Sequence, residues 1–281
     1  MHIKKLSVLL FLVLAASAFG DTAGIGPGGL GIVVEENPNG FTITMSAGSA
    51  ATLEIPEAID GKPITAIGKG AFTGKGLVEV VIPDSVTSID DGAFSFNSLE
   101  TVRIGDNVTT IGMGAFTGNK LTSVSFGSSI TSIGRGAFSN NRIASITLPD
   151  SVTDIGDYAF FNNRIREISI PSGVTTIGEG AFSGNLLREI VIPGGVQHVG
   201  DGAFYNNRIT TVTLPASVET LGKRAFDIRS ADGRIRGNIN YTDTSGNVLH
   251  TSATDFDAYY AANGKRPGRY TLADGNWNLS Q

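Results

Sequence analysis

The stretch Leu77–Phe94, LVEVVIPDSVTSIDDGAF, returns in altered form at Ile165–Phe182 as IREISIPSGVTTIGEGAF. Both stretches end on Ala-Phe. That phenylalanine recurs at Phe72, Phe94, Phe116, Phe138, Phe160, Phe182, Phe204 and Phe226, always 22 residues apart. A fixed period of this length marks a repeat architecture. Other columns keep the same step: asparagine at Asn97, Asn119, Asn141, Asn163, Asn185 and Asn207, and leucine or isoleucine from Leu77 and Leu99 through Ile209. Val80 and Ile82 open an apolar pair repeated to Val212 and Leu214. The slot after it holds Pro83, Pro149, Pro171, Pro193 and Pro215, but Gly105 and Gly127 in two coils.

The spacing Val80-x-Ile82 has the period of two that belongs to a strand, and proline then ends the ladder by removing a donor. Val86–Ile89 is a second extended piece, and the Gly-x-x-Ala-Phe segment is expected to form a short helical or 3-10 turn. One unit has its apolar side chains on a single side and cannot fold alone. Stacked units bury those side chains against identical neighbours, so the expected architecture is a solenoid of about eight coils over residues 53–226, mainly β, with short parallel strands in each coil. The phenylalanines should stack at roughly the ~4.8 Å strand spacing. The asparagines should form a ladder of amides that satisfies backbone groups at a tight corner.

Glycine makes up 37 of 281 residues, and the period accounts for much of this excess through Gly68, Gly112, Gly134 and their equivalents and through the slot before Ala-Phe. There is no cysteine, which excludes disulfides, thiolate zinc sites, iron–sulfur clusters and a lipidated N-terminus. An exported chain must then be held together by its stack alone. Residues 1–20 carry the pattern of a signal peptide: Lys4 and Lys5, the apolar run Leu6–Leu14, and the small residues Ala16-Ser17-Ala18. The apolar run is too short for a permanent anchor, and no later stretch reads as a transmembrane segment. Without Lys4 and Lys5, nineteen cations face twenty-six acids, a charge of −7. That balance speaks against nucleic acid as a partner.

An open solenoid needs caps. Gly31–Glu36 and Phe41–Met45, separated by Asn-Pro-Asn-Gly, read as a hairpin, so residues 21–52 are taken as a linker and N-terminal β cap. Residues 227–281 are taken as an α+β C-terminal cap, with a short helix at Asp255–Asn263 and a closing hairpin around Gly268–Trp277.

The runs Leu77–Phe94 and Ile165–Phe182, with the opening unit LEIPEAIDGKPITAIGKGAF at Leu53–Phe72, resemble the BspA-like leucine-rich repeats of bacteria, in the variant typical of treponemal proteins. The resemblance covers about 175 residues. Repeats of that family usually carry a cysteine shortly after the phenylalanine, where this chain has asparagine. The resemblance implies a curved leucine-rich-repeat horseshoe, exported to the extracellular space, cell surface or periplasm. It also implies a role in adhesion or in binding host and bacterial partners.

Chemistry is sparse. Gly24–Gly29 satisfies G-x-G-x-x-G formally, but it follows the signal peptide and contains Pro27, so it reads as linker. His198 occupies an outward polar slot, and neither it nor His250 belongs to a catalytic or metal-ligating set; no cofactor is expected. Glu167 and Glu189 stand one coil apart, a spacing that paired carboxylates use in retaining glycoside hydrolysis. Arg166 and Arg188 stand beside them, however, which reads as alternating surface charge. Lys120, Arg142, Arg164 and Arg208 share one column, interrupted by Leu186, and could attract an acidic partner. Thr87, Thr109, Thr131, Thr153 and Thr175 form a hydroxyl ladder of the kind that binds ice, but the column degrades to Gln197 and Glu219.

The leading expectation is a non-enzymatic adhesion-type module for a protein or glycan partner. Its candidate positions are Glu79 and Arg103 on the strand face, Arg166, Glu167, Arg188 and Glu189 further along it, and the basic column of Lys120, Arg142, Arg164 and Arg208. The alternatives are a structural scaffold without a specific ligand and a carbohydrate-active enzyme.

Overall fold

The computed structural model describes residues 30–226, 238–242, 248–252, 264, 268–273 and 276–280. The signal-peptide pattern, the G-x-G-x-x-G stretch and the helix expected at Asp255–Asn263 lie outside the described residues. Residues 53–226 wind into a β-solenoid of about eight coils, each placing equivalent residues directly above those of the coil before. One parallel sheet runs its whole length through Lys62–Ile67, Ser88–Ile89, Thr110–Ile111, Ser132–Ile133, Asp154–Ile155, Thr176–Ile177, His198–Val199 and Thr220–Leu221. The register steps by one period at each junction, as in Ile89↔Ile111 and Ile133↔Ile155, so every inward side chain meets its own counterpart.

At the first end, Gly31–Asn37 and Gly40–Ala47 form an antiparallel hairpin over Asn37-Pro38-Asn39-Gly40, and its second strand pairs in parallel with Lys62–Ile67. Asn37 Nδ2 donates to Thr42 Oγ1 and Thr65 Oγ1, both at 2.9 Å, which ties the turn to the first coil. At the other end, Gly268–Ala273 lies antiparallel to Thr211–Leu214, and Asn276–Ser280 folds back on it. Tyr270 on this hairpin is fully buried, and the hairpin caps the last edge of that strand sheet.

The core is a set of columns. The eight phenylalanine rings are completely buried and stack with centroids 5.1–5.5 Å apart and planes within 3–9°. This separation exceeds the strand spacing and lets the rings lie offset instead of face to face. At the same corner each asparagine bridges two coils. Asn119 Nδ2 donates to Phe94 O of the coil before and Phe116 O of its own, both at 3.0 Å, while Leu99 N donates to Asn119 Oδ1 at 3.1 Å. The pattern repeats from Asn97 to Asn207, as the sequence leads one to expect.

The Gly-x-x-Ala-Phe segments are linked β-turns; the described residues contain no helix. Ala93 N donates to Asp90 O and Ser95 N to Gly92 O, but Gly92 sits at φ 63°, and this left-handed residue interrupts any helical continuation. Tyr158 fills the same slot at φ 56°. A bulky L-residue is strained there. Its hydroxyl donates to Glu179 Oε1, and its ring lies 5.5 Å below the Arg135 guanidinium and 6.0 Å from Phe161. The hydrogen bond to Glu179, followed by desolvation, raises the phenol above its ordinary pKa. Gly112 and its equivalents answer a different need: a Cβ on Gly112 would stand 2.6 Å from the backbone of Asp90.

Candidate binding face

The strand face carries the second set of short strands, and here the coils are not alike. Thr52–Glu54, Glu79–Val81, Thr101–Arg103 and Ser123–Ser125 form one parallel sheet, and Glu189–Val191 and Thr211–Leu214 begin another. Between them, Ser145–Thr147 and Glu167–Ser169 carry the expected spacing but form no ladder. One column shows the change. Ile82, Ile104 and Ile192 donate their N–H to Arg103, Ser125 and Thr213 at 3.0, 2.9 and 2.9 Å, whereas Phe126, Leu148 and Ile170 make no such bond. The nearest links across these coils are Ala144 N to Thr122 O and Arg166 N to Ala144 O, both at 3.3 Å.

The core beneath responds. Val80, Val102, Ile190 and Val212 are buried to 3% exposure or less; across the opening Val124, Phe126 and Ile168 are only partly covered, while Ile146, Leu148 and Ile170 stay buried at 5–8%. Phe126 takes a slot held by isoleucine or leucine in the other coils, and its ring packs edge-on against Phe138 at 5.5 Å. Phe126 stands at the first open junction, and the opening continues past Leu148 and Ile170, where the slot is of ordinary size.

Two grooves follow the opening. One, of about 740 Å³, is lined by Arg166, Glu167, Ile168, Leu186, Arg188, Glu189, Val191 and Arg208. The other, of about 420 Å³, is lined by Ser123, Val124, Ser125, Phe126, Thr147 and Pro149. In the larger groove Glu189 accepts from Arg269 Nη2 at 2.9 Å, so the C-terminal hairpin supplies a further cation. Among the described residues Arg166, Arg188 and Arg208 have no ion-pair partner. Four arginines against two glutamates leave this groove at +2, on a chain whose overall charge is −5.

Five of the ten positions expected from sequence therefore converge: Arg166, Glu167, Arg188, Glu189 and Arg208. Glu79 and Arg103 do not join them. Both lie in the first strand sheet, where Arg103 reaches Asp84 at 3.8 Å. Lys120, Arg142 and Arg164 are exposed along the same column as Arg208 but line neither groove. Sequence reasoning missed Arg269, which lies beyond the periodic region; only the pairing of Thr213 with Arg269 brings it to the face.

Other candidates resolve into structure. The hydroxyls of Thr87, Thr109 and Thr131 donate to the threonine carbonyl one coil earlier at 3.0–3.2 Å, so these rungs bond to backbone, while Thr153 Oγ1 turns to Asp154 Oδ2 at 2.7 Å. His198 Nδ1 sits 2.8 Å from Thr220 Oγ1 on the continuous sheet, away from the grooves. Among the described residues no cluster of acids and histidines suits a metal ion, and no helix is long and apolar enough to cross a membrane.

The profile of the BspA type leucine rich repeat region matches the chain in six copies, over residues 49–165 and 109–232. The chain belongs to the BspA-type leucine-rich repeat family. Solved structures of bacterial leucine-rich repeat proteins share its fold. One from T. pallidum is 28% identical, with a TM-score of 0.52 over 56% of this chain and 82% of its own. One from Bacteroides ovatus is 28% identical, with a TM-score of 0.62 over 70% of this chain. Only 56% of the Bacteroides protein is covered, so this chain spans little more than half its length. A leucine rich cell surface protein from Faecalibacterium prausnitzii, 23% identical with a TM-score of 0.52 over 79% of this chain and 60% of its own, shares the fold. A search of curated proteins finds no match. The family and the fold are those of repeat scaffolds for protein interaction.

Proposed function

We propose that this protein is an exported recognition module, of the adhesion type, that binds a protein or glycan partner on its strand face without catalysis. The observation that carries the reading is the groove between Arg166 and Arg208. There the strand ladder is broken at Ile170, and Arg166, Arg188 and Arg208, without ion-pair partners among the described residues, stand beside the partly covered Ile168. Solenoids commonly bind through such extended surfaces. Export is supported by the pattern of residues 1–20. The paired carboxylates do not favour hydrolysis, because Glu189 is held by Arg269 and the groove is open to solvent.

The test is an array of extracellular-matrix proteins and glycans probed with the protein and with Arg166→Ser/Arg188→Ser, alongside protease accessibility on intact cells. Saturable binding at micromolar concentration that falls in the variant supports the reading. Absence of any saturable binding points instead to a structural scaffold, and a chain protected from protease on intact but not on opened cells overturns a role at the surface.

A further inference from the structure

The chemistry of the opened face narrows the partner, on the premise that this face is the recognition surface. The larger groove offers donors and acceptors together: Arg166, Arg188, Arg208 and Arg269 present guanidinium N–H groups, while Glu167 and Glu189 present carboxylate oxygens. The smaller groove is uncharged and lined by the hydroxyls of Ser123, Ser125 and Thr147 beside the partly bared ring of Phe126. Both lie on one face of the same stack. From the coil of Ser123 to that of Glu189 is three coils, which at a ring spacing of 5.1–5.5 Å is about 16 Å. A ligand that engages both is therefore extended along the solenoid axis.

An acidic peptide meets this surface poorly. Its carboxylates would pair with the arginines, but a run of acidic side chains has only its backbone N–H groups to offer Glu167 and Glu189. Its side chains would also recur about every 7 Å on one face, out of step with cations repeating at the coil spacing. A neutral sugar has hydroxyls that donate to the glutamates and accept from the arginines, but it brings no charge to offset the groove's two excess cations. A chain of sugar rings carrying carboxylates or sulfates satisfies both demands. Its acid groups take the fork of an arginine, its hydroxyls donate to Glu167 and Glu189, and its hydroxyls and apolar ring edges suit the Ser–Thr–Phe126 groove.

We infer that the opened strand face between Ser123 and Arg208 is a binding site for an acidic oligosaccharide lying along the solenoid axis. Arg166, Arg188 and Arg208 hold its anionic groups, and Ser123, Ser125 and Thr147 meet an uncharged portion of the same chain.

Binding is measured on immobilised heparin-derived oligosaccharide, polygalacturonate oligosaccharide, dextran and poly-L-glutamate, using the whole protein. The expected result is saturable binding to at least one acidic oligosaccharide, none to dextran, and binding to polyglutamate weaker by about tenfold or more. Arg166→Ser/Arg188→Ser should weaken the oligosaccharide at least about tenfold, whereas Arg135→Ser on the turn corner should leave it unchanged. The affinity should fall as salt rises from ~50 mM to ~200 mM. Ser125→Ala/Thr147→Val should weaken the oligosaccharide without changing its salt dependence, which separates the two grooves. Equal binding to dextran, or indifference to Arg166→Ser/Arg188→Ser, overturns the assignment. Polyglutamate binding as tight as that of the oligosaccharides overturns the sugar but keeps the recognition face, as does protein capture that needs Arg166 and Arg188 with no oligosaccharide bound. No binding to any of these probes or to the protein array overturns both.

Discussion

The turn corner and the strand face are built from the same 22-residue unit, yet they behave as different materials. At the corner every coil repeats the same bonds: stacked phenylalanines, an asparagine bridging two carbonyls, and amides such as Phe94 N to Ala115 O at 2.8 Å and Phe138 N to Ala159 O at 2.8 Å. On the strand face the ladder closes at Ile82, Ile104 and Ile192 and fails at Phe126, Leu148 and Ile170. The stack tolerates this because each coil is already fixed at the corner and along the continuous sheet. Surplus cohesion on two sides of the solenoid leaves the third free to vary and to open.

The largest effect is expected at the corner. Phe138→Ala removes one ring from the middle of the stack and should cost about 3–5 kcal/mol through transfer and cavity terms. Denaturant unfolding measures it, and a loss below about 1 kcal/mol would mean the ring column is not the main support. Asn141→Ala comes next. It leaves the buried Leu121 N without an acceptor and takes one of two donors from Phe116 O and from Phe138 O. The expected cost is about 2–3 kcal/mol. Asn141→Asp keeps an acceptor for Leu121 N but turns an anionic oxygen toward Phe116 O and Phe138 O, so near neutral pH it should cost at least as much as Asn141→Ala.

Tyr158 sharpens the comparison from the other direction, because it is a corner position where the local rule is broken. Tyr158→Gly relieves the left-handed strain and should stabilise the protein by about 1 kcal/mol, less whatever the contacts with Arg135, Phe161 and Glu179 supply. Tyr158→Phe isolates the hydroxyl. Since the folded state holds the phenol proton more tightly than the unfolded chain does, the bond to Glu179 contributes fully below the ordinary tyrosine pKa. The contribution is lost as pH rises through the higher folded value. The difference in stability between wild type and Tyr158→Phe should therefore be steady at neutral pH and vanish in the strongly alkaline range. The smallest effect belongs to the strand face: Arg166→Ser/Arg188→Ser should change stability by no more than about 0.5 kcal/mol while weakening partner binding. A larger loss would show that these arginines hold the fold.

The corner was legible in the sequence because each of its demands falls on one residue type at one slot. Only phenylalanine fills the Phe138 column, and only an amide both donates to carbonyls and accepts from a backbone N–H as Asn141 does. The turn geometry was less legible, since Gly-x-x-Ala-Phe is compatible with a helical turn until the left-handed φ at Gly92 is known. The groove was half legible. Its arginines and glutamates stood out as alternating columns, but the spacing at Ser145–Thr147 and Glu167–Ser169 is the same as in the closed coils. Opening is a matter of packing between coils, which no single-coil pattern reports. Arg269 was hidden for another reason: its place at Glu189 depends on an antiparallel strand that follows the last repeat.

Native-state amide hydrogen exchange reports the opening of the strand face residue by residue. The corner amides of Phe94, Phe116 and Phe138 and the strand-face amides of Ile82, Ile104 and Ile192 should exchange only as the protein opens globally. Those of Phe126, Leu148 and Ile170 should exchange faster by orders of magnitude, and should gain protection when a partner binds. Uniform protection of all six strand-face amides would contradict an opened face.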